Sequence, residues 1–225
     1  MAAAGPRHSD AIEDYAKAIY ALARRGDGSV STNALAERLS VTPASVSAML
    51  KKLAERGLAE HAPYKGVRLT GAGEKVALEV LRHHRLLELY LAEHLGVPWD
   101  RVHEEAEALE HVLSEDLEAR IAAKLGHPTH DPHGDPIPNA RLQIDEGDTR
   151  GLADLAVGDR GRFVRVSDSD GDMLRYLAER GVAIGDELEV VDIQPFGGPL
   201  TVRFGDTDHA IGGALASAMR VELES

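Results

Sequence analysis

The stretch STNALAERLSVTPASVSAMLKKLAERGLAEH, residues 31–61, decides how the first third of the chain folds. Its apolar residues come in two helical bursts separated by a short polar break. Thr32 is placed to cap a first helix that turns Leu35, Ala36 and Leu39 inward. Ser40 and Val41 make the turn, and Thr42 caps a second helix with Pro43 at its first position. Val46, Leu50 and Leu53 recur at helical spacing and form the buried face of that second helix. Its outer face carries Ala44, Ser45, Ser47, Ala48 and Lys51, with Lys52 alongside. Small hydroxyl and methyl groups at a helix N-terminus reach base edges, and lysines further along reach phosphates. Gly57 ends the helix, and LAEHAPYKGVRLT reads as two short strands about a Tyr64-Lys65-Gly66 turn. The pattern is a winged helix-turn-helix with a basic wing tip; a small helical domain without a ligand is the alternative.

Charge favours contact with phosphate in this region alone. The 225-residue chain carries a formal charge of -13, yet residues 1–75 hold 11 Lys and Arg against 8 Asp and Glu, so this third is +3 and the remainder -16. With no cysteine in the sequence, disulfides and thiolate metal sites are excluded, in keeping with a reducing cytoplasm. No apolar run is long enough for a membrane span, and the start MAAAGPRHSD lacks the apolar core of a secretion signal, so a cytoplasmic protein with no membrane association is expected. Ser9 is placed to cap a first helix whose core face is Ile12, Tyr15, Ala16, Ile19 and Ala23, ending at Arg24-Arg25-Gly26. Asp14 lies off that face beside Ala11, Ala18 and Ala21. Such an aspartate is either solvated or placed to serve a site shared with another helix.

Two longer helices are expected next, Glu74 to Leu95 and about Trp99 to Leu125, broken at Gly96 and Pro98. On the first, His84 and Glu88 stand one turn apart; on the second, His103, Glu107, Glu110 and His111 fall at i, i+4, i+7 and i+8. Each set therefore projects from a single helix face. Ala106, Leu109, Leu113 and Leu117 make an adjacent apolar stripe expected to face the core. Imidazole with carboxylate oxygen suits manganese, iron(II) or zinc better than copper(I). A charged amphipathic helix with solvated side chains has the same spacing. Leu86, Leu87, Tyr90 and Leu91 offer apolar surface in excess of one small domain's needs, the mark of a subunit interface. The segment GHPTHDPHGDPIPNARL, with His127, His130 and His133, reads as a polar linker in which Asp131 and His133 are potential ligands. After a polar linker at Asp145–Arg150, short alternating strands begin: GRFVRVS, DELEVVDI, LTVRFG and AMRVELES. One short helix near Asp172 to Arg180 interrupts them, and the set suggests a small SH3-like barrel.

The order of these parts, with His-Arg-Leu-x-Glu on the long helix, Glu-x-x-Glu-His on the next and the Pro-His-Gly-x-Pro-Ile-Pro segment, resembles the DtxR/MntR family of metal-dependent transcriptional repressors over nearly the full chain. The resemblance implies a mainly α protein with a small β part. Its domains would be a winged helix-turn-helix at 1–75, a helical metal-binding and dimerisation domain at 76–144, a linker at 145–151 and an SH3-like, FeoA-like domain at 152–225. It further implies a homodimer, not an enzyme, that binds a palindromic double-stranded operator when metal is bound and shuts off metal-uptake genes. The positions matching the family's primary metal site are Asp14, His84, Glu107, Glu110 and His111. The iron-type branch carries Met and Cys where this chain has Asp14 and Glu107, so the harder oxygen donors favour manganese, with iron(II) the alternative and cobalt or zinc able to substitute in vitro. Lys17 departs from small manganese-type members, which have there a carboxylate that helps hold a second ion. A second site is implied at Glu88, His103, Asp131, His133 and Asp170; Asp131 stands where some members have Cys, and Met173 where iron-type members have a Gln ligand. DNA contacts fall to Thr42, Pro43, Ala44, Ser45, Ser47, Lys51, Lys52 and Lys65. A metal-dependent hydrolase using the same carboxylates is the alternative from another class, although no nucleophile or oxyanion motif accompanies them.

Overall fold

The computed structural model describes residues 8–24, 28–62 and 66–224. The chain forms two compact units, one of residues 1–84, 108–121 and 138–143, the other of residues 85–107, 122–137 and 144–225.

In the first unit, helices α1 (Asp10–Ala23), α2 (Thr32–Arg38) and α3 (Pro43–Glu55) are followed by an antiparallel hairpin of β1 (Ala59–Ala62) and β2 (Gly66–Leu69). Ile12, Ile19, Leu35, Val46, Leu50, Leu53 and Val67 close a single core. Thr42 caps α3 as its sequence indicates, its hydroxyl accepting from the Ser45 N–H at 3.2 Å, with Pro43 in the first turn. At the other end Gly57 takes φ +71° and the Leu58 N–H returns to the Leu53 carbonyl, a Schellman closure that only a residue tolerant of positive φ makes without strain. Two caps differ from expectation. Ser31, not Thr32, caps α2, accepting from the Ala34 N–H at 3.1 Å, and Ser9 stands at the N-cap of α1 without a side-chain bond. The wing-tip turn with Lys65 and the Arg25-Gly26 end of the first helix lie outside the described residues.

Helix α4 runs from Gly71 to Leu95, starting at the cap Thr70, whose hydroxyl accepts from the Gly73 N–H. The helix expected over 99–125 is instead two, α5 (Val102–Leu109) and α6 (Glu115–Lys124). Ser114 starts the second of these, its hydroxyl accepting from the Leu117 N–H and its carbonyl from the Glu118 N–H. The break rotates the apolar stripe: Ala106 and Leu113 are buried, whereas Leu109 and Leu117 are 40% and 49% exposed and Val112 is 67% exposed. Within the first unit Arg82 joins α4 to α6, donating to Glu118 at 2.7 Å and to the Pro138 carbonyl at 2.6 Å.

The second unit contains a six-stranded antiparallel sheet. Its elements are β3 (Arg150–Gly151), β4 (Arg160–Val166), α7 (Gly171–Ala178), β5 (Glu187–Ile193), β6 (Leu200–Phe204), β7 (Thr207–Ile211), α8 (Gly213–Ala218) and β8 (Met219–Leu223). The strands lie in the order β3-β8-β4-β5-β6-β7. Phe163, Leu174, Leu177, Ile211 and Met219 fill the core beneath it, and β6 alternates buried with half-buried residues as a strand with one covered face must. The expected linker at 145–151 is structured. β3 pairs with β8, Arg220 donates twice to Thr149, and Arg165 holds Glu146 at 2.9 Å. Leu86, Leu87 and Leu91, expected at a subunit interface, are buried within the chain.

Nor is the Pro- and Gly-rich segment a free linker. Asp131 Oδ1 accepts from the N–H groups of His133 and Asp135, closing a tight turn, and Arg85 on α4 donates to Asp135 and the Pro136 carbonyl. Gly134, at φ +81°, lets this turn lie against β4, because a Cβ there would sit 1.9 Å from the Val164 carbonyl oxygen. The His133 carbonyl accepts from the Val166 N–H and the contact is fixed.

Candidate metal centres and DNA-binding face

In the first unit, three side chains from distant parts of the sequence converge. His111 Nε2 lies 2.9 Å from Asp14 Oδ1 on α1 and 3.4 Å from Glu110 Oε1, and these donor atoms fall within 4.8 Å of one another. Glu13, one residue before Asp14, takes His111 Nδ1 at 2.7 Å. That bond fixes the ring so that Nε2 faces the carboxylates, the usual role of a carboxylate behind a ligating imidazole. The other oxygen of Glu110 meets His84 Nδ1 at 2.6 Å. Glu110 is 1% exposed and His84 4%, so both are held away from solvent. Burial opposes ionisation of Glu110, but the His84 and Lys17 bonds and charges hold its carboxyl below the usual range. Burial pushes the Asp14 carboxyl up against the opposing pull of His111 and Lys17. The His111 imidazole is raised, since Glu13, Glu110 and Asp14 outweigh its own burial. Lys17 Nζ stands 2.6 Å from Glu110 Oε1, so the departure noted in the sequence puts an ammonium on a ligand-type carboxylate. Glu107 is 3.7 Å from His103 Nε2, one turn earlier on α5. Glu110 and His111 lie just past the end of α5 rather than on its face, which is why helical spacing alone misplaces them.

The second unit brings together Glu88, His103, Asp131 and His133. His103 Nδ1 lies 3.3 Å from Glu88 Oε1 and 2.9 Å from Asp168 Oδ2. His133 Nδ1 lies 3.8 Å from Glu88 Oε2, while its Nε2 donates to the Trp99 carbonyl at 2.7 Å and Trp99 stacks on its ring. Asp170, expected as the ligand from this part of the chain, instead caps α7, accepting from the Asp172 N–H at 2.9 Å. The carboxylate beside His103 is that of Asp168, two residues earlier; in the run Ser-Asp-Ser-Asp-Gly-Asp spacing cannot tell one aspartate from the next. Met173 packs against the apolar core of this unit. Burial alone would lower both imidazoles. The bonds and charges of Asp168 and Glu88 push His103 up to about 10, and Glu88 with Asp131 pushes His133 up to about 9. Asp168, opposed by burial, is brought down to about 2 by His103, and buried Asp131 is raised well above its ordinary value. A cleft of about 460 Å³ lined by Asp100, His103, Glu104, Asp168, Asp170 and Arg175 opens over this cluster.

On α3, Thr42, Pro43, Ala44, Ser45, Ser47, Lys51 and Lys52 are all exposed, and Val46, Leu50 and Leu53 face the core beneath them. The helix thus presents a small-residue, hydroxyl-bearing N-terminal half and a basic C-terminal half. Ser45 meets the Thr42 hydroxyl at 2.9 Å and Ser47 donates to the Pro43 carbonyl, which pins the first turn.

A winged helix-turn-helix with an exposed second helix, followed by buried imidazole–carboxylate clusters, defines a DNA-binding protein with metal-type sites. The sequence matches three family models in order: "Iron dependent repressor, N-terminal DNA binding domain" over residues 8–67, "Iron dependent repressor, metal binding and dimerisation domain" over 70–139, and "FeoA domain" over 150–223. It is 31% identical to the iron-dependent repressor IdeR of Mycobacterium tuberculosis over 237 aligned positions, covering 95% of this chain and 97% of that one. Among solved structures, a manganese-dependent transcriptional repressor in complex with manganese superposes with a TM-score of 0.90 at 41% identity, covering 95% of this chain and 100% of that chain. The manganese regulator SloR gives 0.78 at 33%, covering 95% and 98%. The chain belongs to the DtxR/MntR family of metal-dependent transcriptional repressors. DNA and a second copy of the chain are its partners. Among the described residues no helix is long and apolar enough to cross a membrane.

Proposed function

We propose that this chain is a manganese-activated repressor of metal-uptake genes, acting in the cytoplasm as a homodimer on a palindromic operator. Residues 1–75 would bind DNA, 76–144 would bind metal and dimerise, and 152–225 would form the SH3-like domain. The convergence of Asp14, Glu110 and His111 carries the reading. Those residues, with His84 and Glu107, would hold the activating ion, and the donor set fits it: oxygen and imidazole only, in a chain without cysteine. A bound divalent cation supplies the charge that ties α1 of the DNA-binding part to the turn at Glu110 and His111. Leu109, Val112 and Leu117, left exposed by the break between α5 and α6, supply apolar surface for the dimer. A second metal centre would use Glu88, His103, Asp131, His133 and Asp168. Manganese is favoured by the carboxylates at 14 and 107 and by the manganese-bound relative at 41% identity; iron(II) is the second reading, favoured by the IdeR relatives.

The reading is tested by selecting an operator from a random library with manganese, iron(II), cobalt or zinc present, then measuring affinity by anisotropy with metal and with chelator. Manganese is expected to give tight binding that falls steeply with salt. Lys51→Ala or Lys52→Ala should lower the salt slope by about one counterion each while leaving sequence preference intact. Equal affinity with and without metal removes the proposal.

Proton competition gives a second check. In the metal-free fold the imidazoles of His103 and His133 hold protons to about pH 10 and about pH 9, and His111 is also raised. A metal must displace those protons, so apparent affinity rises with pH throughout the range below these values, about tenfold per pH unit for each proton displaced. Competition titrations between pH 6.5 and 8.5 are expected to show that climb. A plateau above pH 7 would mean that the raised imidazoles are not ligands.

A further inference from the structure

Helix α1 brings more than Asp14 to the first cluster. Glu13, Asp14 and Lys17 fall at i, i+1 and i+4, so Lys17 stands one turn along from the two carboxylates and shares their side of the helix. Its ammonium lies 2.6 Å from Glu110 Oε1, the same oxygen that His111 Nε2 approaches at 3.4 Å. The side chain of Lys17 is 16% exposed and that of Glu110 fully buried, so the pair is poorly screened. We propose that Lys17 is a built-in, detachable cation of the activating site: it holds Glu110 Oε1 until a divalent ion displaces it, and so sets the ion concentration at which the repressor switches on. This deepens the metal-activation reading above and rests on it.

The charges around His111 explain the need for such a cation. Its ring meets Glu13 at 2.7 Å, Asp14 at 2.9 Å and Glu110 at 3.4 Å, three carboxylates on one imidazole. Carboxylates gathered that closely, one of them out of solvent, repel unless positive charge stands among them. Lys17 supplies it, and its charge acts on Asp14 as well as on Glu110. The two oxygens of Glu110 are divided between neighbours. Oε2 meets His84 Nδ1 at 2.6 Å, so Oε1 is the oxygen on the His111 side. An ion entering among Asp14, Glu110 and His111 therefore meets the ammonium on the same oxygen, and two cations on one oxygen repel strongly where water is scarce. Lysine suits the role because its compact ammonium rides on a flexible four-carbon stem and can turn out to solvent. Exchange of one cation for the other keeps α1 joined to the turn at Glu110, first through one ammonium contact and then through the ligand side chains together.

Manganese titration of the full chain tests the assignment through the sign of one substitution. Lys17→Leu keeps an apolar stem and removes the charge. It should tighten manganese binding, and lower the manganese concentration for half-maximal operator binding, by about 10- to 100-fold, the range of a hydrogen bond to a charged group. Lys17→Arg keeps the charge and should stay close to the unsubstituted chain. A lysine that only props the site has the opposite signature, since its loss would weaken manganese binding. In a Glu110→Gln background Lys17→Leu should leave manganese binding unchanged, because the oxygen for which the two cations compete has lost its charge. Should Lys17→Leu not fold, the unsubstituted chain still reads the exchange: reductive methylation followed by mass spectrometry should label Lys17 several-fold faster in saturating manganese than in chelator. Unchanged or weaker manganese binding by Lys17→Leu, or labelling of Lys17 that manganese does not raise, overturns the role of Lys17 and leaves metal activation standing. Failure of the unsubstituted chain to bind manganese overturns the metal-activation reading itself.

Discussion

A His111→Ala variant is expected to bind its operator no better with manganese than with chelator, at the level of non-specific DNA, a loss on the order of 10³-fold or more. The size of the effect follows from what His111 joins. Its Nε2 stands 2.9 Å from Asp14 on α1 and 3.4 Å from Glu110, and its Nδ1 stands 2.7 Å from Glu13, also on α1. One ring therefore connects the first helix of the DNA-binding part to the turn after α5 on both of its edges. Without it, a cation between Asp14 and Glu110 loses its nitrogen donor, and Glu13 loses the bond that aims the donor. Specific binding by a two-fold dimer requires both recognition helices in register at once, so a loosened α1 costs nearly all of the specific term while the charge-driven, non-specific term stays. Anisotropy on the selected operator and on a scrambled one, with and without manganese, separates the two terms. Glu13→Gln keeps a partner for Nδ1 but not its charge, and should reduce the manganese response by about 10- to 100-fold, the usual cost of losing a partner behind a metal-type imidazole. If His111→Ala retains a manganese response, the activating position lies elsewhere.

Parts of this arrangement are legible in the sequence itself. The Thr42-Pro43 start of α3, its Val46, Leu50 and Leu53 face and the Gly57 stop depend on local chemistry, and local chemistry is what a sequence displays directly. The break at residues 110–114 is masked in the sequence because Leu109, Leu113 and Leu117 keep helical spacing across it. The signal was Ser114 followed by Glu115, Asp116 and Glu118, an N-cap with an acidic first turn in the middle of a presumed helix. β7 and α8 leave no sequence signal for different reasons. TDHAI carries its one buried side chain at the end, and GALASA is too short and too small-sided to show a period. Asp168 in place of Asp170 could not be read from the sequence. Which aspartate of that run turns toward His103 depends on where β4 ends, since Val166 is tied to the His133 carbonyl and the chain bends just after it. Residues that converge from sequence separations near 100, such as Asp14 and His111, share no local pattern, and only the resemblance to a known family placed them together.

Exchanging Asp14 for Met and Glu107 for Cys is expected to reverse the metal preference of activation, moving it from manganese toward iron(II) and cobalt and raising the iron(II)-to-manganese affinity ratio by at least about 10-fold. The change is confined to donor softness, because His84, Glu110 and His111 are retained in both proteins. The intrinsic affinity order already places manganese below iron(II) and cobalt, so a site that no longer offers extra hard oxygen falls back toward that order. The two residues should not contribute alike. Asp14 is the α1 carboxylate facing His111 Nε2, and its Ala variant should lose more operator affinity than metal affinity, since it links ion binding to the position of the DNA-binding helices. Glu107 is 40% exposed on its side chain and pairs with His103 at 3.7 Å, so Glu107→Cys alone should shift metal preference while leaving the link to α1 intact. Isothermal titration for each metal, paired with operator anisotropy on the two single variants and the double variant, measures preference and coupling separately. A double variant that still responds best to manganese would place the selectivity of the site in Glu110 and its Lys17 partner, which the exchange leaves untouched.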